Sequence, residues 1–223
     1  MKSSPEEALL ARKEIKRKRI MSIYIQCTEK LLKEDGIHNL SIRRLADTTG
    51  FSSAMLYSYF SDLDELVLYA SFKFRKEYLQ EVAVRINDSM TSLEQYRGIY
   101  EIFNEYTFRD PEIYMNMYFG RHSDKIKEVR DHYYELFPEE FIAPTDLIRE
   151  LLLQGSLIDC DRKTTEKLAN DGFIRPENAD IVAELMVRTQ ETFLYELMVN
   201  PQKSSQKLND DFMRLFDYII SVS

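Results

Sequence analysis

The sequence predicts an all-α chain, with an N-terminal three-helix helix-turn-helix unit followed by a larger helical body. Nearly every segment of the 223 residues repeats its apolar side chains every three to four positions, and no stretch shows the bounded alternation of a half-buried strand. Only six Gly and six Pro are present, so long helices have few interruptions. Two short helical patterns meet at Gly50, at the spacing of a helix-turn-helix.

The elements follow in order. Ser4-Pro5-Glu6-Glu7 supplies a capping residue, a Pro suited to the first helical position, and a Glu three residues after the cap. The first helix runs to Asp35, with Gly36 as its left-handed terminator. Along it Ile15, Ile20, Ile23, Cys27, Leu31 and Leu32 form an apolar stripe, on which Cys27 reads as a small core residue. Short helices are predicted over 41–48 and 52–59, capped by Ser41 and Ser52. The next opens at Ser61-Asp62-Leu63-Asp64-Glu65, where Asp62 and Glu65 have capping-box spacing, and continues to about Ile86. Further helices are predicted near 91–108, 111–120, 123–137, 144–158, 162–171, 177–199 and 204–222. Asn87-Asp88, Asp110-Pro111, Gly120, Pro138, Pro144, Gly172, Pro176 and Asn200-Pro201 separate most of them.

Composition excludes several classes. At 44% hydrophobic and 30% charged the chain can bury a sizeable core, so wholesale disorder is not expected. No apolar run approaches the roughly 20 residues of a membrane span. The N-terminal residues lack a signal peptide's apolar core. Two cysteines, Cys27 and Cys160, are too few for a disulfide framework and point to a reducing cytoplasm. A net charge of -8 argues against nucleic acid only if it is evenly spread, and it is not. Residues 1–60 hold eleven Lys/Arg against seven Asp/Glu, a local net of +4, and the remainder carries -12.

Residues 41–60 carry the mechanism. Leu45, Phe51, Leu56 and Phe60 are spaced to share a core with the first helix, Ala46 is small where two helices cross, and Gly50 can take a positive φ. In such a unit the second short helix enters the major groove. Ser53, Ala54, Met55, Tyr57 and Tyr59 then offer hydrogen bonds, thymine-methyl contacts and phosphate contacts. Arg43 can fork onto a guanine edge, and Arg44 reads as a backbone contact. Ser41 and Ser52 leave backbone N–H groups for phosphate at the two helix starts. Packing alone is the competing reading of this hairpin. Arg12, Lys13, Lys16, Arg17, Lys18 and Arg19, six cations within eight residues, favour a phosphodiester partner.

Ser41, Leu45-Ala46, Gly50-Phe51, Leu56-Tyr57-Ser58-Tyr59-Phe60 and Asp64-Glu65-Leu66 together resemble the signature of TetR-family transcriptional regulators. The resemblance is specific over about 15–70 and covers the rest by layout alone. One position departs: Leu63 stands between two acids where the family usually has a Lys that contacts phosphate. The resemblance implies residues 1–61 as a DNA-binding domain, with the fourth helix from about 62 as connector. It implies residues 62–223 as a helical ligand-binding and dimerisation domain. It also implies a homodimer on a palindromic operator in double-stranded DNA, a small-molecule effector, no cofactor, and commonly repression. Leu63 leaves a second reading open, a small-molecule-binding or interaction module whose DNA binding has weakened or been lost.

In the body, the last two helices carry apolar stripes that suit either a core or a partner. The family's closing four-helix interface assigns Leu185, Thr189, Phe193, Leu197, Phe212, Leu215, Phe216 and Ile219 to dimer contacts. Residues 96–137 are rich in aromatic side chains with a few polar tips, the composition of a ligand site. Tyr100, Phe103, Tyr106, Tyr114, Met117, Tyr118 and His122 are the expected lining, for a partly apolar molecule, aromatic or anionic. No Gly-x-Ser-x-Gly elbow, phosphate-cradling glycine loop or His-Glu-x-x-His occurs, so no enzyme is expected. His122, Asp124, Asp131, His132 and Glu135 are the nearest approach to a metal set and read as solvated surface.

Overall fold

The computed structural model describes residues 4–223. Eleven α-helices and no strands are found among them: α1 (Pro5–Asp35), α2 (Ile42–Thr49), α3 (Ser53–Leu56), α4 (Leu63–Arg85), α5 (Ser92–Thr107), α6 (Pro111–Phe119), α7 (Ile126–Leu136), α8 (Asp146–Leu153), α9 (Leu157–Asn170), α10 (Ala179–Val199) and α11 (Ser205–Val222). Among the described residues no helix is long and apolar enough to cross a membrane.

Local chemistry sets most boundaries. Ser4 and Glu7 close a reciprocal capping box on α1, and Gly36 ends it at φ 71°. Ser41 accepts from the Arg44 N–H at the start of α2. Gly50 closes α2 in the left-handed region (φ 73°, ψ 10°), a conformation that a side chain would strain, and donates to the Ala46 carbonyl at 2.9 Å. Asp62 caps α4 by accepting from Glu65 N–H, while Glu65 reaches back to Ser61 N–H rather than to Asp62.

Three sequence expectations need correction. The predicted helices over 144–158 and 162–171 divide instead at Gln154-Gly155-Ser156, because Ser156 caps the Asp159 N–H and starts α9 five residues earlier. Ser52 makes no side-chain cap, and α3 is a single turn of four residues rather than eight. On α1 the inward stripe is Ile20, Met21, Tyr24, Ile25, Leu31 and Leu32, whereas Ile15 lies 68% exposed in the stretch before the other helices reach it.

The head is built around Tyr24, whose ring meets Phe51, Tyr59 and Phe60 at 5.4–6.4 Å. Phe60 then touches Tyr69 of α4 at 5.5 Å, joining head to body. Helix α4 is the axis of the molecule. It packs against α1, α5, α6, α7 and α8 and buries residues on every side from Leu66 to Val82. Its first turns, from Leu66 to Phe72, are buried all round, and the charged residues beyond them, Arg75 apart, mark the side nearer solvent. Helix α10 packs on α6, α9 and α11, and α11 closes over α5.

Candidate nucleic-acid interface and body cavity

On the head, Ser41, Arg43, Ser52, Ser53, Ala54 and Tyr57 are exposed, with Tyr57 at 57%. Met55 and Tyr59 are half-buried and pack on the core, so each offers an edge rather than a whole side chain. Arg44 turns inward, pairing with the Asp35 carboxylate and donating to the Asn39 carbonyl. Of the six clustered cations, Arg17 donates to the Ser58 carbonyl at 3.3 Å and lies over the Tyr59 ring. Lys18 pairs with Glu135 at 3.3 Å. Arg12, Lys13, Lys16 and Arg19 are exposed, with no acidic partner among the described residues. The head therefore presents an outward face of small polar, aromatic and cationic groups beside a band of free positive charge. Leu63 is half-buried against the core at the first turn of α4.

The junction between head and body is polar. From the turn between α6 and α7, His122 Nε2 sits 2.9–3.0 Å from both Asp62 oxygens, and Arg121 donates to Oδ2 at 3.1 Å. Burial raises the Asp62 carboxyl, but the Glu65 N–H, His122 and Arg121 outweigh it and hold the group below the usual carboxylate range. His132 is also occupied, 2.8 Å from the Tyr69 hydroxyl. Among the described residues no three His, Cys, Asp or Glu side chains converge as a metal site would need.

A narrow cavity of about 30 Å³ lies in the body between α4, α5, α6, α8 and α9. Tyr100, Phe103 and Tyr118 line it, as do Arg75, Tyr78, Leu79, Tyr96, Ile99, Leu151, Leu157, Cys160, Asp161 and Thr164. The other four expected lining residues lie elsewhere. Tyr114 is fully buried and donates to the Phe74 carbonyl, and Met117 is core. Tyr106 stacks under Arg109, while His122 faces Asp62. Arg75 and Asp161, the charged groups of the cavity, escape a sequence reading because they come from helices far apart in the chain. No local signal sets Arg75 apart, because it stands in Phe72-Lys73-Phe74-Arg75-Lys76-Glu77 among other charged residues.

Asp161 accepts from the Tyr100 hydroxyl at 2.5 Å. Burial pushes its carboxyl up to about 7, against the pull of that hydrogen bond. Burial likewise raises the Cys160 thiol to about 12, with Arg75 opposing. Both cysteines are free.

The closing helix pair divides into two faces. Phe193, Leu197, Phe212 and Phe216 are buried in the chain's own core, which corrects their place among the expected dimer contacts. Phe212 stacks on Tyr100, and Phe193 on Phe108. Leu185 and Leu215 are exposed, and Thr189 and Ile219 are half-buried. The outward apolar face consists of Ile181, Leu185, Tyr195 and Val199 on α10 with Leu215, Tyr218 and Val222 on α11, each 42–65% exposed.

Residues 25–70 match the family model of bacterial regulatory proteins of the tetR family. No curated protein matches the chain at a significant level. Among solved structures, the chain resembles FadR of Thermus thermophilus, a TetR family transcriptional repressor solved with lauroyl-CoA. Identity is 12% over 87% of this chain and 92% of that one, with a TM-score of 0.58. It also resembles RolR solved with resorcinol, at 13% identity over 90% and 88% of the two chains and a TM-score of 0.53. The fatty acid degradation regulator FadR of Bacillus halodurans shares 10% identity over 99% and 97%, again with a TM-score of 0.53. At these identities the structures speak for the fold, and the family model speaks for the head. The head thus carries the tetR-family match over residues 25–70, and the fold of these regulators extends along the rest of the chain.

Proposed function

We propose that this protein is a sequence-specific transcriptional regulator that binds a palindromic operator as a homodimer and is released by a small molecule, most simply as a cytoplasmic repressor. The observation that carries the reading is the outward face of Arg43, Ser53, Ala54 and Tyr57 beside the free cations of α1, within the stretch that matches the family model. Ser53 and Arg43 reach for base edges, Ala54 suits a thymine methyl, and Tyr57 with the α1 cations holds phosphates. Arg44 is already committed to Asp35, so it contributes by fixing α2 against the end of α1.

Residues 1–61 form the reading unit, and 62–223 form the sensor and dimer module. Two copies must present their recognition helices about one DNA turn apart, roughly 34–36 Å. The exposed apolar face of α10 and α11 supports such a pairing, since apolar patches of this kind mark association sites. The cavity beneath α8 supports an effector, as do the small molecules bound in the Thermus FadR and RolR structures. A ligand changes DNA affinity only by its differential affinity for two arrangements of the dimer. Helix α4, which meets the head where Tyr69 packs on Phe60 and walls the cavity at Arg75, is the element both sites share.

A gel-shift assay with DNA from immediately upstream of the protein's own gene tests this. Wild-type protein retards the fragment, and Arg43→Ala with Tyr57→Ala does not. Undetectable wild-type binding at low ionic strength overturns the regulator reading and favours a ligand-binding module that has lost its DNA contacts.

A further inference from the structure

Two arginines are buried in the body, and only one has an acidic partner. Arg130 on α7 pairs with Asp131 at 2.6 Å and donates to the Leu153 carbonyl. Arg75 is 4% exposed and donates to the Leu151 carbonyl, and no carboxylate among the described residues lies within 4 Å of it. A guanidinium carries five N–H donors and cannot shed its charge. Burying it without a counter-ion is costly, and the last carbonyls of α8 offset only part of that through the helix dipole. Arg75 borders the cavity, so the missing partner has a place to sit.

We propose that Arg75 is the anion-binding group of the body cavity, and that the effector is a small organic carboxylate with an elongated apolar body. The proposal rests on the reading of the body as a sensor. The carboxylate forks onto Arg75 in bidentate geometry. The rest of the ligand runs along α4, where Leu79, one turn beyond Arg75, lines both the cavity and an apolar cleft of about 260 Å³. Leu79, Ala83, Val84, Ile142, Ile148 and Leu152 form its apolar wall, and its polar members are Gln80 and the Lys76–Glu140 ion pair. From Arg75 to Ala83 the path is roughly 12 Å along the helix. An anion is favoured over a cation because Asp161 already accepts from the Tyr100 hydroxyl, whereas Arg75 is permanently charged and has no carboxylate partner among the described residues.

The test uses the full chain and two shape-matched probes, octanoate and octanamide, titrated calorimetrically, with 3-phenylpropionate as a shorter aromatic acid. Wild-type protein binds octanoate about tenfold or more tightly than octanamide. Arg75→Gln, which keeps a donor for Leu151, brings the two within about threefold, whereas Arg75→Lys retains a preference for the acid. Equal binding of acid and amide by wild type overturns the proposal. So does an acid preference that survives Arg75→Gln, or failure of both acids to bind. The wild-type comparison decides even where a variant does not fold. Operator binding by the same preparation separates the two claims. DNA bound with no acid preference removes the ligand class alone, whereas an acid preference without DNA binding removes the regulator reading.

Discussion

The head and the body place their polar groups in opposite ways. In the head Arg43, Ser53 and Tyr57 point outward and carry little of the packing, which Tyr24, Leu45, Leu56 and Phe60 provide from within. In the body Arg75 and Asp161 are buried in a cavity walled by Tyr78, Tyr96, Tyr100, Phe103 and Tyr118. A group that awaits a large anionic polymer can stay in water until the polymer arrives. A group that awaits a small molecule must be desolvated beforehand, at a cost to stability that ligand binding later recovers. The head's substitutions should therefore alter DNA binding with little effect on folding, and the body's polar substitutions the reverse.

The largest effect is expected where the two regions depend on a second copy. Tyr195→Asp with Leu215→Asp places charge in the exposed face of α10 and α11. Sedimentation should then report a monomer, with operator affinity lower by about 10²–10⁴-fold as bivalent binding is lost. A dimer that persists would move the interface to another surface. Next comes Arg43→Ala, expected to cost about 10–100-fold in operator affinity. Its melting temperature should stay within about 2 °C of wild type, because exposed sites contribute little to folding. A large drop in melting temperature would mean that Arg43 is structural and break the contrast between the regions.

In the body, Asp161→Asn keeps an acceptor for Tyr100 and removes a charge. The folded-state carboxyl, held near 7, lies above its unfolded value, so the folded protein holds the proton more tightly. Its burial cost is absent at low pH, grows as pH rises from about 4 to about 7, and is complete above 7. The variant should melt higher than wild type at pH 8, by roughly 4–8 °C, and match it near pH 4. A difference independent of pH would contradict this account. The smallest effect is expected from Leu63→Lys at the first turn of α4. The added phosphate contact should raise affinity a few-fold at low salt and steepen the salt slope by about one. No change in slope would mean that DNA does not approach the first turn of α4.

Elements bounded by local chemistry were legible in the sequence. The Ser4/Glu7 box, the Ser41 cap and the positive φ of Gly50 each act within four residues, so their spacing suffices. The break at Gln154-Gly155-Ser156 was missed because the apolar period continues across it, and only the Ser156 cap reveals a new start. The α10 and α11 stripes were right in period but divided in direction, since a helix apolar on two sides does not say which side meets a partner. The Arg44–Asp35 pair is not legible locally, because its acid lies nine residues earlier at the end of α1. The cavity was legible only as a richness in aromatics. Its charged groups lie on α4 and α9, and tertiary packing alone brings them together.

The most direct measurement is the salt dependence of wild-type binding to its own upstream DNA, followed by fluorescence anisotropy. If Tyr57 and the free cations of α1 lie on phosphates, log affinity falls linearly with log salt, by about 0.9 per phosphate contact, and a fragment of unrelated sequence binds far more weakly. Binding that is undetectable at low ionic strength, or that does not respond to salt, would contradict the account.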